Sequence, residues 1–148
     1  MRSNILDLEK IASAMELTLG VGSMMYARQM INVNYFFLLR GIVLEYVVVG
    51  NHKVILHMYG EPNMSLETLR NWIVKTESWL FDHTDISCIL VFCKQEDMKL
   101  RFLVRETGAE RSAIIPNADG DKGELLYVYS KDSRDKYERR VTCQQQYQ

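Results

Sequence analysis

Three titratable residues stand on one largely apolar stretch of this chain: Glu45, His57 and Tyr59. A carboxylate, an imidazole and a phenol are the side chains from which general acid and base catalysis is assembled. Directly after them, His57-Met58-Tyr59-Gly60-Glu61-Pro62-Asn63-Met64-Ser65-Leu66-Glu67 reads as a turn from a strand into a long helix. A glycine at such a turn is where many enzymes hold a phosphate on the helix N-terminus. Each residue also has a plainer reading, His57 as a satisfied structural histidine and Glu45 as part of a solvated sheet face or a paired charge.

Whether the three residues act together depends on strand register. Gly50-Asn51 is the strongest hairpin signal, because glycine accepts the positive φ of a tight primed turn. As a two-residue turn it sets Leu44 opposite His57 and Glu45 opposite Leu56, which puts Glu45 and His57 on opposite faces. A three-residue loop reverses that outcome.

Other chemistry is sparse. Cys88, Cys93 and Cys143 are odd in number and lack CxxC spacing, which argues against a disulfide framework and a structural zinc site. Cys88 and Cys93 read as small hydrophobes within an apolar run. The segment Asn117-Ala118-Asp119-Gly120-Asp121-Lys122-Gly123 lacks the glycine and glutamate positions of a calcium loop and reads as a polar hairpin loop. No nucleophile elbow, zinc-protease helix or Walker loop is present.

The elements that must position these residues follow from periodicity. Ile5, Leu8, Ile11, Ala12 and Met15 recur at helical spacing behind Asn4, a candidate N-cap, predicting a helix to about Leu17. Ser23 is placed to cap a second helix, to about Met30, with Met24, Met25, Ala27 and Met30 as its apolar residues. Val33 to Leu39, Ile42 to Val49 and Lys53 to Tyr59 then read as an antiparallel meander. The first of these strands carries Tyr35-Phe36-Phe37, read as an exposed edge open to a partner.

Beyond Pro62 the helical period returns through Leu66, Leu69, Ile73, Thr76 and Leu80, with Asn63 or Ser65 as cap and an end near His83. Ile86 to Cys93 reads as a strand buried on both faces and parallel to the one before the helix. Asp97 caps a further helix with Met98, Phe102 and Leu103 facing inward and Gly108 at its end. Ser112 to Ile115 and Leu125 to Ser130 form a closing strand pair. The expectation is one mixed α/β domain over residues 1–130, with 131–148 as a polar extension or docking arm.

The totals fit that picture. A chain of 148 residues, 47% hydrophobic and 25% charged, is ordinary for a soluble domain, and a net charge of -1 gives no electrostatic case for nucleic acid or membrane. No stretch is long and apolar enough to span a bilayer, and no secretory signal is visible. The expected setting is the cytoplasm of a host cell, or a particle assembled there.

The element order, with Lys99-Leu100-Arg101-Phe102-Leu103-Val104-Arg105-Glu106-Thr107-Gly108-Ala109, resembles the GNAT (Gcn5-related N-acetyltransferase) fold. In that family a strand at the position of Ile86 to Cys93 is followed by a helix ending in a "k-x-G-[FA]" step and then by two antiparallel strands. The helix-strand-helix stretch from Ser65 to Ala109 is most similar to the divergent GNAT-like proteins of short-tailed bacteriophages, which implies a virion-associated component.

The resemblance implies a mixed central sheet and a test of activity. Active members cradle the acetyl-CoA pyrophosphate on R/Q-x-x-G-x-G/A, and here Tyr59, Gly60, Asn63, Met64, Ser65 and Leu66 would have to serve. Gly60 stands alone, Pro62 lacks an N–H, and Glu61 adds a negative charge. The general-acid tyrosine four residues before the helix-ending glycine is Val104 here.

Two expectations follow. The first is a degenerate GNAT-fold interaction or structural module without a cofactor, with a protein partner or a second copy. The second is an acetyl-CoA-dependent N-acetyltransferase in which Glu45, His57 or Tyr59 handles the amine proton.

Overall fold

The computed structural model describes residues 1–61 and 63–146, and the side chains of these apart from 119, 137, 141, 142, 145 and 146. Pro62 lies outside the described residues. Two compact units form, Met1–Ser65 and Leu66–Gln148.

The first unit opens at Asn4, whose side chain accepts the Leu6 N–H at 2.9 Å while Asp7 accepts the Asn4 N–H at 3.0 Å. This reciprocal capping box starts a 3-10 turn that runs into α1 (Leu8–Leu19). Ile11, Ala12 and Met15 are buried as the period predicts, but Ile5 is exposed because it sits in the 3-10 turn outside the helical stripe. In α2 (Ser23–Met30), Gly22 holds the cap position, and Ser23 is the first helical residue, buried and not capping. Met25 points outward at 67% exposure, so Ala27 alone of the predicted apolar set is fully covered.

The meander is antiparallel throughout: β1 (Tyr35–Leu39), β2 (Ile42–Val48) and β3 (Lys53–Tyr59). Its tight primed turn is Arg40-Gly41, both at positive φ (48° and 79°) between paired Leu39 and Ile42. At the second hairpin the Val49 N–H donates to the Lys53 carbonyl at 3.1 Å, leaving a three-residue loop, Gly50 to His52. β1 is an edge strand of the sheet, as expected, but its Phe36 and Phe37 side chains are fully buried in the core. Ile11, Met15, Ala27, Ile31, Phe36, Val43 and Tyr59 form one hydrophobic cluster that joins the two helices to one face of the meander.

In the second unit, α3 (Leu66–His83) buries Leu69, Ile73, Thr76, Glu77, Leu80 and Phe81, while Leu66 is 44% exposed. The strand β4 (Cys88–Lys94) alternates, with Ile89, Val91 and Cys93 buried and Cys88, Leu90 and Phe92 half-buried, so only one face is fully covered. Burial pushes the Cys93 thiol up to about 12, which leaves it an inert hydrophobe.

Asp97 caps α4 (Met98–Glu106) by accepting the Leu100 N–H at 3.1 Å, and Gly108 ends it at φ 96°. Met98 and Phe102 are more than half exposed, and the inward face is Leu103 with Val104. The helix is thus turned by about one residue from the predicted stripe. The closing strands are longer than expected. β5 (Glu110–Asp119) and β6 (Lys122–Ser130) meet at a two-residue turn, Gly120-Asp121, with β6 paired antiparallel to both β4 and β5.

The polar tail is helical as α5 (Lys131–Gln146). Its start is fixed by Ser130 and Ser133, each hydroxyl accepting the other's backbone N–H, at 3.1 and 2.7 Å. Tyr147 and Gln148 lie outside the described residues.

Candidate functional site

Glu45 lies in the middle of β2, opposite Phe36 on β1 and His57 on β3. The three-residue loop shifts β3 by one residue from a two-residue hairpin, which brings Glu45 and His57 onto one face. Tyr59, two residues further along β3, shares that face and sits opposite Val43. The predicted pairing of Glu45 with Leu56 is therefore corrected, and all three sequence candidates converge.

The Glu45 carboxylate has no solvent exposure and is surrounded by the hydrophobic cluster described above. Its cost of burial is offset by three donors. The Tyr26 hydroxyl donates to Oε2 at 2.6 Å, the Asn34 amide donates to the same oxygen at 2.9 Å, and the Tyr59 hydroxyl donates to Oε1 at 3.1 Å. Asn34 is itself oriented, because its side-chain oxygen accepts the Val48 N–H at 3.1 Å.

Tyr26 and Asn34 were not predictable as site residues. Tyr26 belongs to α2 and Asn34 to the α2–β1 connection, and nothing local in either points to Glu45.

The direction of the network follows from its donors. Tyr59 has one proton and commits it to Glu45, so the 3.4 Å approach of His57 Nδ1 to the Tyr59 oxygen requires an N–H on His57. The chain runs from exposed His57 through Tyr59 to buried Glu45. Burial, and then the Glu45 charge and hydrogen bond, push the Tyr59 phenol above the usual tyrosine range, and burial followed by the Glu45 hydrogen bond does the same to Tyr26. Both remain protonated donors at neutral pH.

The turn after β3 has a different logic. Gly60 adopts φ 92°, and a Cβ there would overlap the Gly41 carbonyl oxygen of the first hairpin. The glycine is demanded by that close approach. Glu61, Asn63 and Ser65 are exposed, as is Leu66, and Met64 is half-buried.

Gly60 and Glu61 close one end of a cavity of about 770 Å³ between α1 and the β1–β2 hairpin. Its charges balance, Lys10 and Arg40 against Glu9 and Glu61. Among the described residues no cluster of His, Cys, Asp or Glu could hold a metal ion, and no helix is long and apolar enough to cross a membrane.

By sequence, no family model and no curated protein matches the chain. By structure it is similar to a ribosomal-protein alanine acetyltransferase from Vibrio fischeri, with a TM-score of 0.72 at 11% identity over 89% of this chain and 92% of that one. A GNAT-family acetyltransferase from Bacillus cereus aligns with a TM-score of 0.68 at 16% identity, over 88% and 95% of the two chains. A spermidine N-acetyltransferase variant from Vibrio cholerae gives 0.68 at 11%, over 95% and 98%. These likenesses define a GNAT-like mixed α/β fold, as the element order implied.

Proposed function

We propose that this chain is a GNAT-fold protein serving as an interaction or structural module, without efficient acetyl transfer. The observation that carries the reading is the turn at Gly60. A pyrophosphate cradle needs small residues whose backbone N–H groups open toward the anion. Here the glycine is required by the Gly41 carbonyl, Glu61 places a carboxylate alongside, and the adjoining cavity has no excess of positive charge. The residues of this turn do not fit the phosphates of acetyl-CoA.

The acid–base candidates support the same reading. Glu45 is wholly buried and its oxygens are committed to three donors, so it ties α2 and the α2–β1 connection to the meander. Val104, at the position of the family's general-acid tyrosine, is buried and apolar. The partner in this reading is another protein or a second copy of the chain, and a virion-associated role extends the same proposal.

One observation favours an N-acetyltransferase reading: the unbroken chain from exposed His57 to Glu45. There His57 would accept the proton of a substrate amine while its Nδ1 proton moves toward Tyr59 and Glu45. An assay of free thiol released from acetyl-CoA with primary amine acceptors separates the two. Release at the rate of the buffer control is expected. Turnover that is lost in His57→Ala, in a chain that still melts cooperatively, would establish the enzyme.

A further inference from the structure

The second unit carries a cavity of about 910 Å³ bounded by α3, α4, the start of β5 and α5, over Tyr127 of β6. Six cations line it, Arg70, Arg101, Arg105, Arg111, Lys136 and Arg140, against two carboxylates, Glu106 and Glu110. Glu106 approaches Arg70 at 4.0 Å, and Glu110 approaches Lys136 at 3.6 Å. Among the described residues, the remaining four guanidinium groups have no carboxylate within the 4.0 Å of an ion pair.

We propose that this cavity binds a small anion bearing a di- or triphosphate group. The proposal goes beyond the interaction-module reading and does not depend on it.

Three independent features support it. Arg101 and Arg105 on α4, and Lys136 and Arg140 on α5, are two like-charged i, i+4 pairs turned toward the same hollow. Such pairs destabilise an isolated helix by a few tenths of a kcal/mol, a penalty that a shared counter-ion removes. Next, the Nε–H groups of Arg70 and Arg101 are shielded from water and meet no acceptor among the described residues. A buried donor without a partner is costly and marks a place where an acceptor is missing. Finally, the register of β5 slips between Arg111 and Ala113, and such a bulge re-aims the side chains beside it.

The occupant follows from charge and size. Guanidinium forks match phosphate oxygens two at a time, and several converging forks select an anion with many such oxygens over a single carboxylate. The volume lies in the range of small-ligand sites, roughly 300–1,000 Å³. A concave hollow of this kind suits a compact polyanion better than a duplex, which requires an exposed basic stripe.

Calorimetric titration of the full chain with inorganic pyrophosphate, tripolyphosphate and ATP tests the proposal. Saturable binding is expected for tripolyphosphate, weakened at least about tenfold in Arg105→Glu with Arg111→Glu and falling steeply with added salt. Arg28→Glu, on the first unit, should leave it unchanged. Equal binding of ATP and tripolyphosphate assigns the phosphate chain alone as the recognised group, and tighter ATP binding adds the nucleoside.

Should the charge reversals lower the melting temperature, Arg105→Gln with Arg111→Gln provides the same comparison with a smaller charge change. Absence of saturable heat at millimolar tripolyphosphate, or unaltered binding in both double variants, would overturn the proposal. So would binding of an oligonucleotide by a chain that ignores all three phosphates. Failure of phosphate binding here leaves thiol release from acetyl-CoA to be decided by its own assay, so the two proposals fail separately.

Discussion

Two cavities of this molecule are similar in size and opposite in electrostatics. The one beside Gly60, of about 770 Å³, sets two cations against two carboxylates, whereas the one beside α4 and α5, of about 910 Å³, sets six against two. The buried carboxylates repeat the contrast. Glu45 in the first unit is satisfied by three donors, while Glu77 on α3 is buried with Oε1 unpartnered among the described residues. Polar groups in the first unit are closed on one another and hold the fold together; in the second unit several are left open.

Three substitutions probe that contrast. Glu45→Ala removes the acceptor from Tyr26, Asn34 and Tyr59 at once, and a loss of about 3–5 kcal/mol is expected in denaturant unfolding. A loss below about 1 kcal/mol would mean that the network does not tie the helices to the meander.

Gly60→Ala should cost about 1–3 kcal/mol, from the positive φ and from overlap with the Gly41 carbonyl. An equally stable alanine variant would free the glycine for another role.

Glu77→Gln should do the reverse and stabilise the chain at neutral pH. Burial holds the Glu77 carboxyl well above its ordinary value of 4.5. The sign follows from linkage: with the folded-state value raised, stability is fully present below 4.5 and declines as pH rises toward the folded value. Melting temperature measured upward from pH 4 should fall in the parent chain and fall less in the glutamine variant.

Much of the fold was legible because its signals are local. Asn4 and Asp97 cap where they were expected to, Gly108 ends α4, and β3 runs from Lys53 to Tyr59 as its composition indicates. The register of the second hairpin was not legible. Gly50-Asn51 satisfies the rule for a two-residue turn, yet the tight primed turn formed at Arg40-Gly41, and a single extra loop residue reversed the relation of Glu45 to His57.

The inward face of α4 was misjudged for a related reason. Met98 and Phe102 fit an apolar stripe as well as Leu103 and Val104 do, and only packing distinguishes them. The donors Tyr26 and Asn34 meet Glu45 through tertiary structure alone.

A net charge of -1 also concealed the basic cavity. Its cations come from α3, α4, β5 and α5, and the positive excess of α4 and α5 is cancelled in the total by acidic residues elsewhere in the chain. Like-charged pairs at i, i+4 on two helices were the available sequence signal.

On the function proposed above, the Gly60 turn does not hold the phosphates of acetyl-CoA. Titrating acetyl-CoA into the Arg105→Glu, Arg111→Glu chain isolates that turn from the basic cavity, since both offer a place for phosphate. No saturable heat is expected up to millimolar cofactor, and micromolar binding to this variant would overturn the proposed function.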